Sequence, residues 1–357
     1  MILRKTNIGF FLFLSTLSVA NHANAKPSFG TEVNISSISL SEPVTIKTNF
    51  DDWETDEELK PGNRLYSKQV ARAGFTINRV HLGYTKQLYY YLNFSHDTAL
   101  LHYRERNNIK HDKTTFDIYL NANNAEAEGF YLGYTVEWKG LSVNATLNYL
   151  DLEELYYGEA FGFFDPAETA SNRTEITIDY AYPEDRIFER PVDPPEGTGI
   201  TLDLNIQYSW REHSFAALIG EAYSDLYWNT APGSRIEGNL NSLLSDDEAA
   251  IRYSHFRAQI HQRLPVHTQL HYRYRLNPQL SAGLNHEKLD NKRWTAWAGN
   301  WHITPKWTGS VLWNPDDSIW GLQIKHPYFA FGLASDSSDY RKSHYLKLQL
   351  EVHAKLF

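Results

Sequence analysis

From Ile200 to Trp210 the chain alternates without a break. Ile200, Leu202, Leu204, Ile206, Tyr208 and Trp210 are apolar, while Thr201, Asp203, Asn205, Gln207 and Ser209 between them are polar. A period of two puts each set on its own face of an extended strand, so one face avoids water and the other seeks it. From Gly129 the chain reads GFYLGYTVEW, then Lys139-Gly140, then LSVNATLNYL. Two alternating runs about a two-residue turn form a hairpin with one apolar face. The same period runs through Leu88 to Phe94, Phe116 to Leu120, Val266 to Leu276, Thr295 to Ile303, Trp307 to Trp313, Trp320 to Ile324, Phe329 to Leu333 and Leu346 to Leu356. Pro at Asn277-Pro278, Thr304-Pro305 and His326-Pro327 marks breaks between strands, because it cannot donate to a ladder. The chain is all-β.

A two-sheet sandwich also alternates, but its strands average about 5 or 6 residues and its polar face is the outer one. The runs here approach the roughly 9 to 11 residues that a tilted strand needs to cross a bilayer. Aromatics make up 14% of the chain, with 23 Tyr and 10 Trp, and several stand near strand ends: Trp138, Tyr149, Trp210, Trp301, Trp307 and Trp313. Rings with a flat apolar body and one polar tip suit the lipid–water interface; as β-favouring residues they also suit a core. A spanning sheet cannot leave an edge unpaired in hydrocarbon, so the expected fold is a transmembrane antiparallel up-and-down β-barrel of about 12–14 strands. Twelve are counted from Thr114 onward, and Val70 to Thr85 with Gln87 to Ser95 makes one further pair. With a periplasmic C-terminus, the long acidic stretches 151 to 198 and 229 to 249 fall outside. Ala249 to Arg263 breaks the parity unless it is an outside extension of the next strand, bent at Pro265.

Residues 1–25 read as a signal peptide. Arg4-Lys5 precede the apolar stretch Ile8 to Ala20, and Ala23-Asn24-Ala25 is a small-x-small cleavage site. Residues 26–69 are either a periplasmic, plug-like segment or a first strand, and 70–357 are the barrel. The chain has no Cys, which excludes disulfides, thiolate metal sites and a lipoprotein anchor. A formal charge of −9 disfavours nonspecific nucleic-acid binding.

Signal peptide, girdled alternating strands and the terminal Phe357 together resemble a Gram-negative outer-membrane β-barrel, at the level of the class. The resemblance implies an outer-membrane location, contact with outer-membrane lipid and handling by the barrel-assembly machinery. Phe357 departs from the class pattern, since it falls in the phase of His353 and Lys355 and not with Leu346, Leu348, Leu350, Val352, Ala354 and Leu356.

With the apolar phase outward, His267, Gln269, His271, Arg273 and Arg275 face the lumen. This basic row either selects anions, as wall charges of a narrow pore do, or is neutralised by carboxylates such as Glu287. Inward positions from 281 to 334 are small: Ser281, Gly283, Ala296, Ala298, Thr308, Ser310, Gly321, Ala330, Gly332 and Ala334. They admit a pore, a ligand or a close approach of chain, or they ease curvature. Tyr156, Tyr157, Phe161, Phe163 and Phe164 read as a loop that docks a sugar or protein, or that packs over the mouth. Pro183 to Gly199 reads as a mobile, charged loop.

Metal-ligand spacing, a P-loop and a dinucleotide fingerprint are missing, so no cofactor is expected. His213-Ser214, Ser254-His255 and Ser343-His344 are adjacent pairs, which on strands face opposite sides. Three functions follow: first, a porin-like channel or transporter for a small polar solute, anionic or saccharide; second, a non-conducting surface receptor or accessory barrel for export; third, an outer-membrane hydrolase.

Overall fold

The computed structural model describes residues 28–111, 115–166, 175–185, 189–238 and 252–355. The proposed signal peptide and Phe357 lie outside them. Sixteen strands form one antiparallel sheet: β1 (Phe29–Ser41), β2 (Arg64–Ile77), β3 (Val80–Phe94), β4 (Phe116–Trp138), β5 (Leu141–Phe164), β6 (Glu175–Ala181), β7 (Gly197–Trp210), β8 (His213–Gly238), β9 (Arg252–Gln262), β10 (His267–Arg275), β11 (Leu280–Leu289), β12 (Lys292–His302), β13 (Thr308–Asn314), β14 (Ile319–His326), β15 (Phe329–Ser335) and β16 (Tyr345–Lys355). β1 pairs with β16 from Gly30–Lys355 to Leu40–Tyr345, and β8 pairs with β10, so the sheet closes on itself.

Fourteen strands make the closed wall. β6 and β9 belong to an outer storey. β6 takes the place of β7 between the far ends of β5 and β8, and β9 pairs only with β8 before the chain bends through Pro265 into β10. Over its described part, Ala249 to Arg263 is thus the expected extension of the next strand beyond the wall.

Other expectations are corrected. Of the two alternatives for residues 26–69, residues 29–41 take the second and form the first wall strand. The first hairpin turns at Asn78-Arg79 and not at residue 86, because Asn78 takes the left-handed conformation (φ 57°) that a two-residue turn requires. Phe116 to Leu120 is no separate strand; it opens the 23-residue β4. Leu152 to Phe164 is no loop but the outer half of β5, held by β4 on one side and β6 on the other. Its Gly158 is needed there: a Cβ would lie 2.1 Å from the Asp179 carbonyl oxygen of β6. Pro183 to Gly199 is anchored where described. Asp185 is buried, accepts from Arg190 Nε at 2.7 Å and from the Tyr182 hydroxyl at 3.0 Å, and Asp185 and Arg190 form a β-bridge.

The apolar phase faces outward, as Phe130, Trp138, Trp297, Trp301 and Val311 show by exposing more than half their surface. Trp297, Trp313 and Trp320 stand side by side across β12, β13 and β14. Above Tyr84 and Tyr149 the outward phase turns polar, with Lys86 bridging Glu126 and Glu153. This bounds the apolar belt. Both described chain ends and the short turns at 78–79, 139–140 and 211–212 lie on one side. The described long connections after β1 and β3 and the far ends of β5 and β8 lie on the other. These two connections carry helices, α1 (Ile46–Phe50) and α2 (His96–Arg106), N-capped by the hydroxyls of Thr45 and Ser95. They pack Val44, Trp53, Leu65, Phe94, Ala99 and Tyr103 into a cap over the rim.

Candidate functional site: a lumen closed by side chains

In a fourteen-strand wall, β1 stands diametrically opposite β10. Side chains flanking β1 reach straight across. Lys68 of β2 donates to Glu221 of β8 at 2.5 Å, and Lys347 of β16 donates to Glu287 of β11 at 3.2 Å and to Gln269 of β10 at 3.0 Å. Tyr89 donates to the same Glu221 oxygen, and the Glu221 backbone N–H donates to Asp203. Arg72 of β2 reaches Asp203 of β7 at 2.6 Å and Asn148 of β5 at 3.1 Å. Cations and carboxylates therefore alternate in one layer that draws the two walls together. Such pairs are tolerated in a dry interior only because each charge has partners.

Outward of this layer, towards the long connections, the lumen is apolar and filled. On one side are Tyr89, Leu150, Leu152, Leu155, Leu226, Trp228 and Leu264. On the other are Ile38, Leu40, Tyr66, Tyr91, Leu289, Trp294, Ile319 and Tyr345. Beyond them lies a mouth pocket of about 300 Å³, its floor made by Leu40, Trp294, Ile319 and Tyr345 and its rim by Glu42, Lys60, Lys292, Asp317, Asp336 and His344. Towards the short turns lies a polar vestibule of about 330 Å³ that includes Glu32, Arg72, His81, Tyr131, Glu351 and His353.

The basic row faces inward as expected, because Leu270 and Tyr274 of the opposite phase are exposed on the belt. It is not a free ladder. His267 is 6% exposed and bonds Glu287 at 2.6 Å, and His271 bonds Asn285 at 2.8 Å. Arg273 donates to the carbonyls of Tyr272 and Leu284, while Arg275 is exposed at the end of β10. Of the small inward residues, Ser281, Ala298, Gly321, Ala330 and Ala334 are buried, whereas Gly283, Ala296, Thr308, Ser310 and Gly332 are partly exposed.

Of the aromatic set on β5, Tyr157 packs against the inner cluster and Phe164 lies beside Phe116 and His111. Phe161 is exposed, and Tyr156 and Phe163 are half-buried. Sequence reasoning missed Lys68, Arg72, Asp203, Glu221 and Lys347. Their signal was present, since each is a charge in the inward phase of an amphipathic strand; only the partner across the lumen was illegible. Also missed was a Ser–His pair: Ser234 of β8 meets His255 Nδ1 of β9 at 2.8 Å and the Tyr182 hydroxyl at 2.8 Å. Ser234 is fully buried, which denies it to a substrate in this conformation. No group of His, Asp and Glu suited to a metal occurs among the described residues.

No protein-family model and no curated protein matches this chain. Among solved structures it is similar to the toluene transporter TbuX of Ralstonia pickettii, at 10% identity over 94% of this chain and 90% of that one, with a TM-score of 0.41. It is also similar to a TodX monoaromatic hydrocarbon channel mutant, at 8% identity over 93% and 90%, with a TM-score of 0.42. The toluene transporter TodX of Pseudomonas putida aligns at 10% identity over 94% and 90%, with a TM-score of 0.31. These superpositions are too loose to carry residues or solutes across. The closed barrel stands on its own strand pairing.

Proposed function

We propose that the chain is an outer-membrane barrel that passes a small polar solute through a lumen closed at rest. The observation that supports this reading most is the layering of the interior: a charged mouth pocket, a closure made of side chains, and a polar vestibule beyond it. No described backbone segment threads the lumen, so opening requires rotation of side chains and not extraction of a domain. The closure also holds an incompletely satisfied charge, since the second carboxylate oxygen of Glu221 has no hydrogen-bond partner among the described residues. Water entering beside it would recover that loss. Because Lys68, Arg72 and Lys347 are matched by Glu221, Asp203 and Glu287, the layer is close to neutral. A neutral or zwitterionic solute suits it better than an anion.

The packed apolar layer favours a second reading, a non-conducting receptor that uses its mouth pocket and outer storey. Conductance in planar bilayers separates them when paired with Tyr66→Ala/Trp294→Ala, a variant that opens the apolar layer and so proves insertion. The channel reading expects brief openings of the wild type and a conductance about tenfold larger in the variant. A conducting variant beside a silent wild type, with no uptake of sugars or amino acids into liposomes, would leave the receptor.

A further inference from the structure

The outward face of β11 and β12 departs from the rest of the belt. Reading inward from the long-connection side, the paired outward residues are Lys288–Arg293, His286–Thr295, Leu284–Trp297, Ala282–Gly299 and Leu280–Trp301. Lys288 and Arg293 are both exposed and directly opposite one another, and neither forms an ion pair among the described residues. The nearby Asp317 is engaged by Lys292, and Asp290 by Arg64 and Tyr91. Like charges placed opposite on a sheet repel, so this pair is unfavourable without an anion.

Beneath the two cations the belt is hollow. A groove of about 600 Å³ runs over Ala282 and Gly299 between Tyr272, Leu284, Trp297, Val311 and Trp313, and its lining is almost wholly apolar. Gly299 has no backbone reason to be glycine. It is not among the positive-φ residues, and a Cβ built on it would meet nothing within 4 Å. Glycine weakens a strand, so its use here keeps the groove open. From Lys288 to Ala282 is six residues, about 20 Å along the strand, which matches a headgroup-to-acyl separation.

We propose that this column binds a phosphorylated lipid, its acidic headgroup on Lys288 and Arg293 and one acyl chain over Gly299. The inference rests on the outer-membrane reading. On the long-connection side the lipid is the phosphorylated glycolipid of the outer leaflet, whose several negative charges match two adjacent cations with no carboxylate between them. Long cationic side chains extend readily from a belt edge to such a headgroup.

Native mass spectrometry of the full chain, extracted from outer membranes in mild detergent and titrated with lipid A or phosphatidylglycerol, tests it. The expected result is one retained lipid A, preferred over phosphatidylglycerol. Retention should fall at least about tenfold in Lys288→Gln/Arg293→Gln, which removes the charges, and in Gly299→Leu, which fills the groove, but not in Gly299→Ala. Equal retention of the two lipids, or retention unmoved in both variants, would overturn the site. A compact band before boiling shows that each variant is folded. Failure of the wild type to give that band would contradict the barrel-in-membrane reading instead.

Discussion

Charge in the lumen is held by partners on the far wall, and that sets what a single substitution does. Glu287 has Lys347 and His267 on its carboxylate. Glu287→Gln leaves the half-buried Lys347 ammonium with only neutral partners, which is expected to cost about 1–3 kcal/mol. Removing both charges in Glu287→Gln/Lys347→Met should restore most of that loss. Thermal unfolding in detergent measures it, and a double variant no better than the single one would show that the pair does not act as a unit. The basic row illustrates how far residue-level reading reaches. Its inward direction follows from the alternating phase of Val266 to Leu276, and Glu287 was nameable as a partner because it lies on the next hairpin strand. Lys68 and Glu221 lie more than a hundred residues apart, and only closure of the cylinder brings them within reach.

At the scale of elements, long strands and short turns were legible because period two and Lys139-Gly140 are local signals. The outer halves of β4 and β5 were not. Their residues leave the apolar belt, the outward phase turns charged at Asp151 and Glu153, and an aromatic-rich segment above that point looks like a loop until β6 is seen to pair with it. Gly158→Val is expected to separate β6 from β5 without unfolding the wall, because the clash falls on Asp179 of β6. Limited proteolysis should then cut between residues 165 and 196 in the variant at protease levels that spare the wild type. Unchanged cleavage would mean that β6 does not depend on this approach.

The helical cap makes a pH prediction. His102 of α2 sits edge-on to Trp53, with ring centroids 5.0 Å apart. Burial, aided by the Arg106 guanidinium and opposed by Asp52, lowers its pKa below the ordinary 6.5. The folded cap therefore prefers neutral His102, so its contribution is full above the unfolded pKa and declines as pH falls below about 6.5 towards the lowered folded value. Amide exchange across α2 should accelerate between pH 7 and 5, after correction for intrinsic rates, and His102→Gln should flatten that change. Equal pH sensitivity in the variant would remove His102 as the cause.

For the whole molecule, one requirement organises everything else: backbone groups in hydrocarbon must all be paired, so a belt of outward apolar side chains implies a cylinder with no edge. That much can be reasoned from alternation alone. What fills the cylinder cannot, because the same inward Gly, Ala and Ser residues serve an open bore or a closed one, and the choice depends on how near the walls come. The most direct test of the account is tryptophan quenching by phospholipids brominated along their acyl chains. Trp138, Trp210, Trp297, Trp301 and Trp313 each expose more than half their surface on the belt, whereas Trp228 and Trp294 are buried in the lumen and Trp53 in the cap. The account predicts strong quenching of the reconstituted protein that is largely lost when those five and Trp320 are replaced by Phe and unaffected by Trp228→Phe. Fluorescence that brominated lipid leaves unchanged would mean that the belt does not touch the bilayer.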